Sequence, residues 1–175
     1  MWAQAGAVYL PLHTAYTVAE LGYFIGDSEP TVVVCDPKSR EAVAALPEAK
    51  GVASVETLDA AGKGSIANKA AGERADFADV PRAADDLAAI LYTSGTTGRS
   101  KGAMLTQDNL ASNAEVLVDY WRFTADDVLI HALPIYHTHG LFVATNTLLM
   151  AGGSMLFLPK FDADAVLNLM PRATT

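Results

Sequence analysis

Between Val128 and Pro159 the chain carries no Asp, Glu, Lys or Arg. A stretch without charge either crosses a membrane or packs inside a protein, and the two differ in what they tolerate. A spanning helix needs roughly 20 mostly apolar residues in succession. Here Pro134, histidines, Asn146, several threonines and the Gly152-Gly153 pair break the run. Those breaks fit a strand over Val128–Leu133, a buried helix over Gly140–Ala151 and a strand over Ser154–Leu158. No membrane span is expected.

The same alternation of short apolar runs and helical periodicity covers the rest of the chain, which is the pattern of an α/β fold. Val8-Tyr9-Leu10 reads as a short strand stopped by Pro11. Thr17-Val18-Ala19-Glu20 has the form of a capping box, and Val18, Leu21, Phe24 and Ile25 recur on one helical face. A β-branched strand follows over Thr31–Cys35, then a helix over Lys38–Leu46 and a strand over Val52–Leu58. Residues 59–86 hold scattered glycines and charges and read as a surface connection with one short helix. Leu87–Tyr92 is an uncharged strand, and Ala103-Met104-Leu105 is a second one. Thr106 caps a helix to about Trp121, with Leu110, Ala114, Leu117, Val118 and Trp121 as its buried stripe and Asp108 at the positive end of its dipole. Ala163–Met170 begins a last helix. With 51% apolar and 18% charged residues, the chain can fill a core and is not of disordered composition.

Lys and Arg number 12 against 20 Asp and Glu, a formal net charge of −8. That balance argues against nucleic acid or an anionic membrane as a partner, because both repel a net acidic surface. The one cysteine, Cys35, excludes an internal disulfide framework. With no basic-then-apolar leader in view, a cytoplasmic location is expected.

The ten residues Thr93–Gly102 contain three glycines, five hydroxyls and two cations, and no acid occurs between Leu87 and Gln107. A simple turn needs one or two such residues, not eight in ten. Glycines let consecutive backbone N–H groups face inward as an anion-binding nest, hydroxyls add donors, and Lys101 adds a compact positive charge. These are the needs of a polyphosphate site. The P-loop of nucleotide kinases does not fit. Counted from Gly95, its second glycine would fall on Ser100, and Gly102 stands where the Mg²⁺-binding Ser or Thr belongs. The apolar run after Lys101 also calls for strand–loop–strand rather than strand–loop–helix.

Tyr92-Thr93-Ser94-Gly95-Thr96-Thr97-Gly98-x-x-Lys101-Gly102 resembles the phosphate-loop signature of the AMP-forming acyl-CoA synthetase, luciferase and peptide-synthetase adenylation superfamily. Where that family usually has Pro before the lysine, this chain has Ser100, which leaves the loop fewer restraints in its unbound state. Gly6–Leu12, Thr31–Cys35 and Leu133-Pro134-Ile135-Tyr136-His137-Thr138-His139-Gly140 are similar to further stretches of the same ligases, so the likeness spans essentially the whole chain. The wording around Tyr120–Phe123 and Ile135–Gly140 is most similar to malonyl-CoA synthetases.

The resemblance implies a layered α/β sandwich of mixed sheets flanked by helices, with residues 1–175 as one partial amino-terminal adenylation domain. It implies two steps: a small carboxylic acid, malonate or another small dicarboxylate, attacks the α-phosphate of ATP, and the thiol of coenzyme A then displaces AMP. Thr93, Ser94, Gly95, Thr96, Thr97, Gly98, Lys101 and Gly102 would hold the β- and γ-phosphates, with Lys101 as main counter-charge and Mg²⁺ bridging phosphate oxygens. His137 would border the acyl pocket. His137 and His139 also have the spacing of zinc ligands on a strand, but a catalytic zinc needs a third protein ligand and no Cys or acid lies close by, so no metal site is expected. His13 and His131 carry no role in this reading, and Trp121, Phe123 and the methionines read as core. The family's adenine, ribose and carboxy-terminal lysine motifs have no match after Leu158, so the chain is expected to be a fragment with little ligase activity by itself, its partner being the remainder of the ligase. Two alternatives stand beside this: a catalytically inactive nucleotide-binding module, and an adenylating enzyme that loads a carrier protein.

Overall fold

A computed structural model of the 175-residue chain describes residues 4–93 and 99–174. The described residues fall into two compact units, one from Leu12 to Phe77, the other joining the segment up to Pro11 with Ala78 onward.

The Leu12–Phe77 unit is built as a strand–helix–strand crossover. Helix α1 (Val18–Ser28) starts at the expected capping box: the Glu20 amide donates to Thr17 Oγ1 at 3.3 Å and Glu20 Oε2 accepts the Thr17 amide at 2.7 Å. It stops at Glu29, whose backbone is left-handed at φ 45°, just ahead of Pro30. Strand β1 (Val32–Cys35) pairs in parallel with β2 (Ser54–Thr57), Val32 opposite Ser54 and Cys35 opposite Thr57. The expected helix over 38–46 is shorter. A 3₁₀ turn, Pro37–Ser39, precedes α2 (Arg40–Ala44), and a second, Pro47–Gly51, follows. Asp36 accepts the Lys38 amide at 3.0 Å and Pro37 opens the first turn, so this end is held by a side-chain turn before the helix begins. Phe24, Ile25, Val43 and Ala49 form the core. The surface connection holds one short helix, α3 (Ser65–Ala70), as its composition suggested.

Helix α3 is tied back to β2 by one carboxylate. Glu56 is 6% exposed and accepts from Ser54 Oγ, Ser65 Oγ and Lys69 Nζ. The lysine and the two hydroxyls together hold its pKa down at about 2. A buried carboxylate with three donors around it is stable only as the anion.

The second unit carries the candidate site. Strand β3 (Leu87–Thr93) runs antiparallel to β4 (Lys101–Thr106), giving the hairpin expected from the apolar run after Lys101. The segment around Val8-Tyr9-Leu10 reduces to a single parallel bridge, Tyr9 to Ala89, with the Tyr9 amide donating to Ala88 O at 2.9 Å. Helix α4 (Gln107–Trp121) follows directly, capped by Thr106 and Asn109 in a reciprocal box. Ala114 alone of its expected stripe is fully buried, and Trp121 is 48% exposed. The helix ends there, at Arg122 with φ 59°, and the indole meets the Phe123 ring at 6.1 Å. Met104, Met150 and Met170 are likewise exposed, not core.

Strands β5 (Val128–His131) and β6 (Ser154–Phe157) pair in parallel, Val128 opposite Ser154. Between them lie a π-helical turn, His139–Ala144, and helix α5 (Thr145–Ala151). Gly152, at φ +81°, ends α5 in the left-handed conformation that glycine adopts without strain. Helix α6 (Ala163–Leu169) closes the order. The uncharged segment therefore makes the expected strand, helix and strand, but it is not wholly buried: Leu149, Met150 and Phe157 are each about half exposed. Two paired strands leave more apolar side chain than one packed helix layer covers. Among the described residues no helix is long and apolar enough to cross a membrane.

Candidate functional site

The site is rooted in the β3–β4 hairpin. An uncharged strand needs a partner for its backbone groups, and antiparallel pairing with β4 supplies it. The register sets Thr93 opposite Lys101 and Tyr92 opposite Gly102. The chain therefore leaves β3 and re-enters β4 at the same end of the hairpin. Thr93 Oγ1 donates to the Lys101 carbonyl at the long distance of 3.5 Å. Both residues are exposed, and Lys101 forms no ion pair among the described residues. Gly102 is half-buried, and a Cβ there would lie 2.8 Å from Ile90 Cγ2 and 3.4 Å from the Tyr92 ring. Only glycine lets β4 approach β3 this closely beside the lysine. Ser94, Gly95, Thr96, Thr97 and Gly98, the centre of the expected phosphate nest, lie outside the described residues.

The second part is the turn after β5. Pro134 O accepts the His137 amide at 3.3 Å, and His137 O accepts the Leu141 amide at 2.9 Å. His137 itself is exposed, with the Tyr136 ring tilted against it at 5.6 Å. Gly140 is buried so close to Pro134 that a Cβ would sit 2.5 Å from its carbonyl oxygen. Among the described residues no hydrogen bond or ring contact joins His137 to Thr93 or Lys101, so the expected residues form two groups: Thr93, Lys101 and Gly102 on the hairpin, and His137 on the turn. No group of three or more His, Cys, Asp or Glu is placed to hold a metal among the described residues.

His131, given no role from sequence, is the most buried polar ring in this unit at 1% exposure. Its Nε2 lies 2.8 Å from Gly140 O, and Thr145 Oγ1 donates to the same oxygen at 2.8 Å. A signal was present: a histidine at the end of an otherwise apolar strand, two residues from Leu129 and so on the same face.

The chain matches the AMP-binding enzyme family over residues 2–174 and belongs to that family. Its mixed α/β architecture is that of the amino-terminal domain of adenylate-forming ligases. It is similar to ATP-bound MatB from Rhodopseudomonas palustris, with 68% identity and a TM-score of 0.94 over 98% of this chain and 34% of that one. Among curated proteins it is 35% identical to an indoleacetate–CoA ligase of Aromatoleum aromaticum, over 95% of this chain and 33% of the relative. It is also 35% identical to the mitochondrial malonate–CoA ligase ACSF3 of Bos taurus, over 94% of this chain and 28% of the relative. The chain thus spans about a third of the length of the proteins it matches.

Proposed function

We propose that this chain is the triphosphate-gripping part of an ATP-dependent acid–CoA ligase whose acid is malonate or another small dicarboxylate. The observation that carries the reading is the hairpin register: it sets Lys101 opposite Thr93 at the root of a glycine- and hydroxyl-rich loop. Membership of the AMP-binding family supports nucleotide chemistry, and the likeness to proteins named as malonate–CoA and malonyl-CoA ligases supports a malonate-type acid.

In the proposed reaction a carboxylate oxygen bonds to the α-phosphorus of ATP while the bond to the bridging oxygen breaks and pyrophosphate leaves. The thiol of coenzyme A then attacks the acyl carbon and AMP departs. The first step gathers negative charge on an already anionic triphosphate, so positioning and counter-charge dominate. Lys101 draws the β- and γ-phosphates to the hairpin mouth, Thr93 and the loop hydroxyls donate to phosphate oxygens, and Gly102 keeps the lysine's strand tight against β3. His137 borders the acyl group. No group of three or more His, Cys, Asp or Glu is placed to hold Mg²⁺ among the described residues; the ion would supply counter-charge for the triphosphate beside that of Lys101. A reducing, cytoplasmic setting suits the single cysteine, Cys35, which is free.

The test is ATP–pyrophosphate exchange by the whole protein. Exchange that requires malonate supports the reading. Exchange only with aromatic or long-chain acids overturns the substrate and leaves the family.

A further inference from the structure

Strand β5 ends inward on His131, whose ring is clamped by three partners. Phe157 stacks on it at 4.4 Å with the planes 12° apart, Gly140 O lies 2.8 Å from Nε2, and Thr145 Oγ1 lies 3.2 Å from the same nitrogen. A carbonyl can only accept, so Nε2 carries the proton. Nδ1 is then a bare lone pair, buried with no hydrogen-bond partner among the described residues. Burying an unpartnered nitrogen is unfavourable. A leucine would fill the same space without that penalty, so the distinguishing contribution of the imidazole is the Nε2–H bond to Gly140.

Gly140 is the joint of the turn that carries His137. It presses on Pro134, which accepts the His137 amide, and it directly precedes Leu141, which donates to the His137 carbonyl. His131 and Thr145 grip that joint from the buried side. We propose that His131 is a positioning residue: by holding the Gly140 carbonyl it fixes the Pro134–Leu141 turn and sets where the His137 imidazole stands. This inference rests on the proposed place of His137 beside the acyl group.

The experiment measures malonate-dependent ATP–pyrophosphate exchange in the whole protein for His131→Leu, His131→Gln, His137→Ala and the double variant His131→Leu/His137→Ala. Glutamine carries an amide N–H near the position of Nε2. The expected result is a fall in kcat of about tenfold for His131→Leu with KM for ATP unchanged, most of it restored in His131→Gln. The double variant should be no slower than His137→Ala, because His131 acts through His137. Additive losses, equal losses in the leucine and glutamine variants, or a raised KM for ATP overturn the positioning role alone. Full exchange in His137→Ala refutes the placing of His137 and takes the positioning role with it. A second measurement needs neither substrate nor variant activity. Nitrogen-15 histidine NMR of the whole protein should show His131 protonated on Nε2, and a His137 signal that shifts in His131→Leu. Protonation on Nδ1, or an unmoved His137 signal in a folded variant, overturns the inference.

Discussion

Replacing Lys101 with alanine isolates the charge from the scaffold. The residue sits in β4 through backbone pairing with Thr93, and its side chain is exposed with no ion pair among the described residues. Alanine preserves the strand hydrogen bonds, so the folded protein should keep its melting temperature, as surface substitutions away from special features shift stability by only about 0.5 kcal/mol. What is lost is one positive charge at the start of β4. Against a phosphate oxygen about 4 Å away, at an effective dielectric constant near 20, that charge is worth about 4 kcal/mol, less where salt and water screen it. A loss of about 1.5–4 kcal/mol corresponds to a fall in exchange rate of about tenfold to a thousandfold. The assay is ATP–pyrophosphate exchange at saturating acid, with kcat and KM for ATP resolved separately. A raised KM alone would mean that the lysine grips the triphosphate equally in ground and transition states; a lower kcat would mean that it answers charge developing in the reaction. Exchange within about twofold of the parent, in a variant that melts normally, would refute the role given to Lys101 and the polyphosphate reading of the hairpin with it.

Three further outcomes follow from the packing. Glu56 has a folded pKa of about 2, below that of a carboxylate in the unfolded chain, so its stabilisation is fully present above the unfolded value near 4.3 and is lost as pH falls toward 2; urea midpoints of the parent minus Glu56→Gln should converge over that interval, and a difference constant with pH would contradict the network. Gly140→Ala forces a Cβ to within 2.5 Å of a backbone oxygen and should destabilise the protein by about 1–3 kcal/mol in a thermal melt. Thr17→Ala removes the cap of α1 and should lower stability by about 1 kcal/mol by the same measurement, with no change in exchange kinetics.

Where a residue's structure depends on its near neighbours, the sequence foretold it well. The Thr17–Glu20 box, the stop of α5 at Gly152 and the strand after Lys101 each follow from patterns a few residues long. Choosing a hairpin over a P-loop rested on the run Ala103-Met104-Leu105, which continues β4 rather than opening a helix. The misses depend on distant partners. His131 gained its role from Gly140, Thr145 and Phe157, which come together only when β5 and β6 pair around the π-helical turn. Trp121 has the spacing of a buried residue, yet it falls in the last turn of α4 and stays about half exposed beside the Phe123 ring. The centre of the expected phosphate nest, Ser94–Gly98, lies outside the described residues, and of the expected set the hairpin pairing describes Thr93, Lys101 and Gly102.

The strand pairings also differ in how far along the chain each must reach. Val32 must find Ser54 and Val128 must find Ser154 across helical crossovers, whereas Thr93 meets Lys101 after a single short loop. Short-range closure is kinetically favoured over long-range closure. On the ribosome, then, the lysine-bearing end of the hairpin can zip up while later residues are still being synthesised, and the proposed triphosphate site would be rooted in one of the earliest local structures of this unit to form.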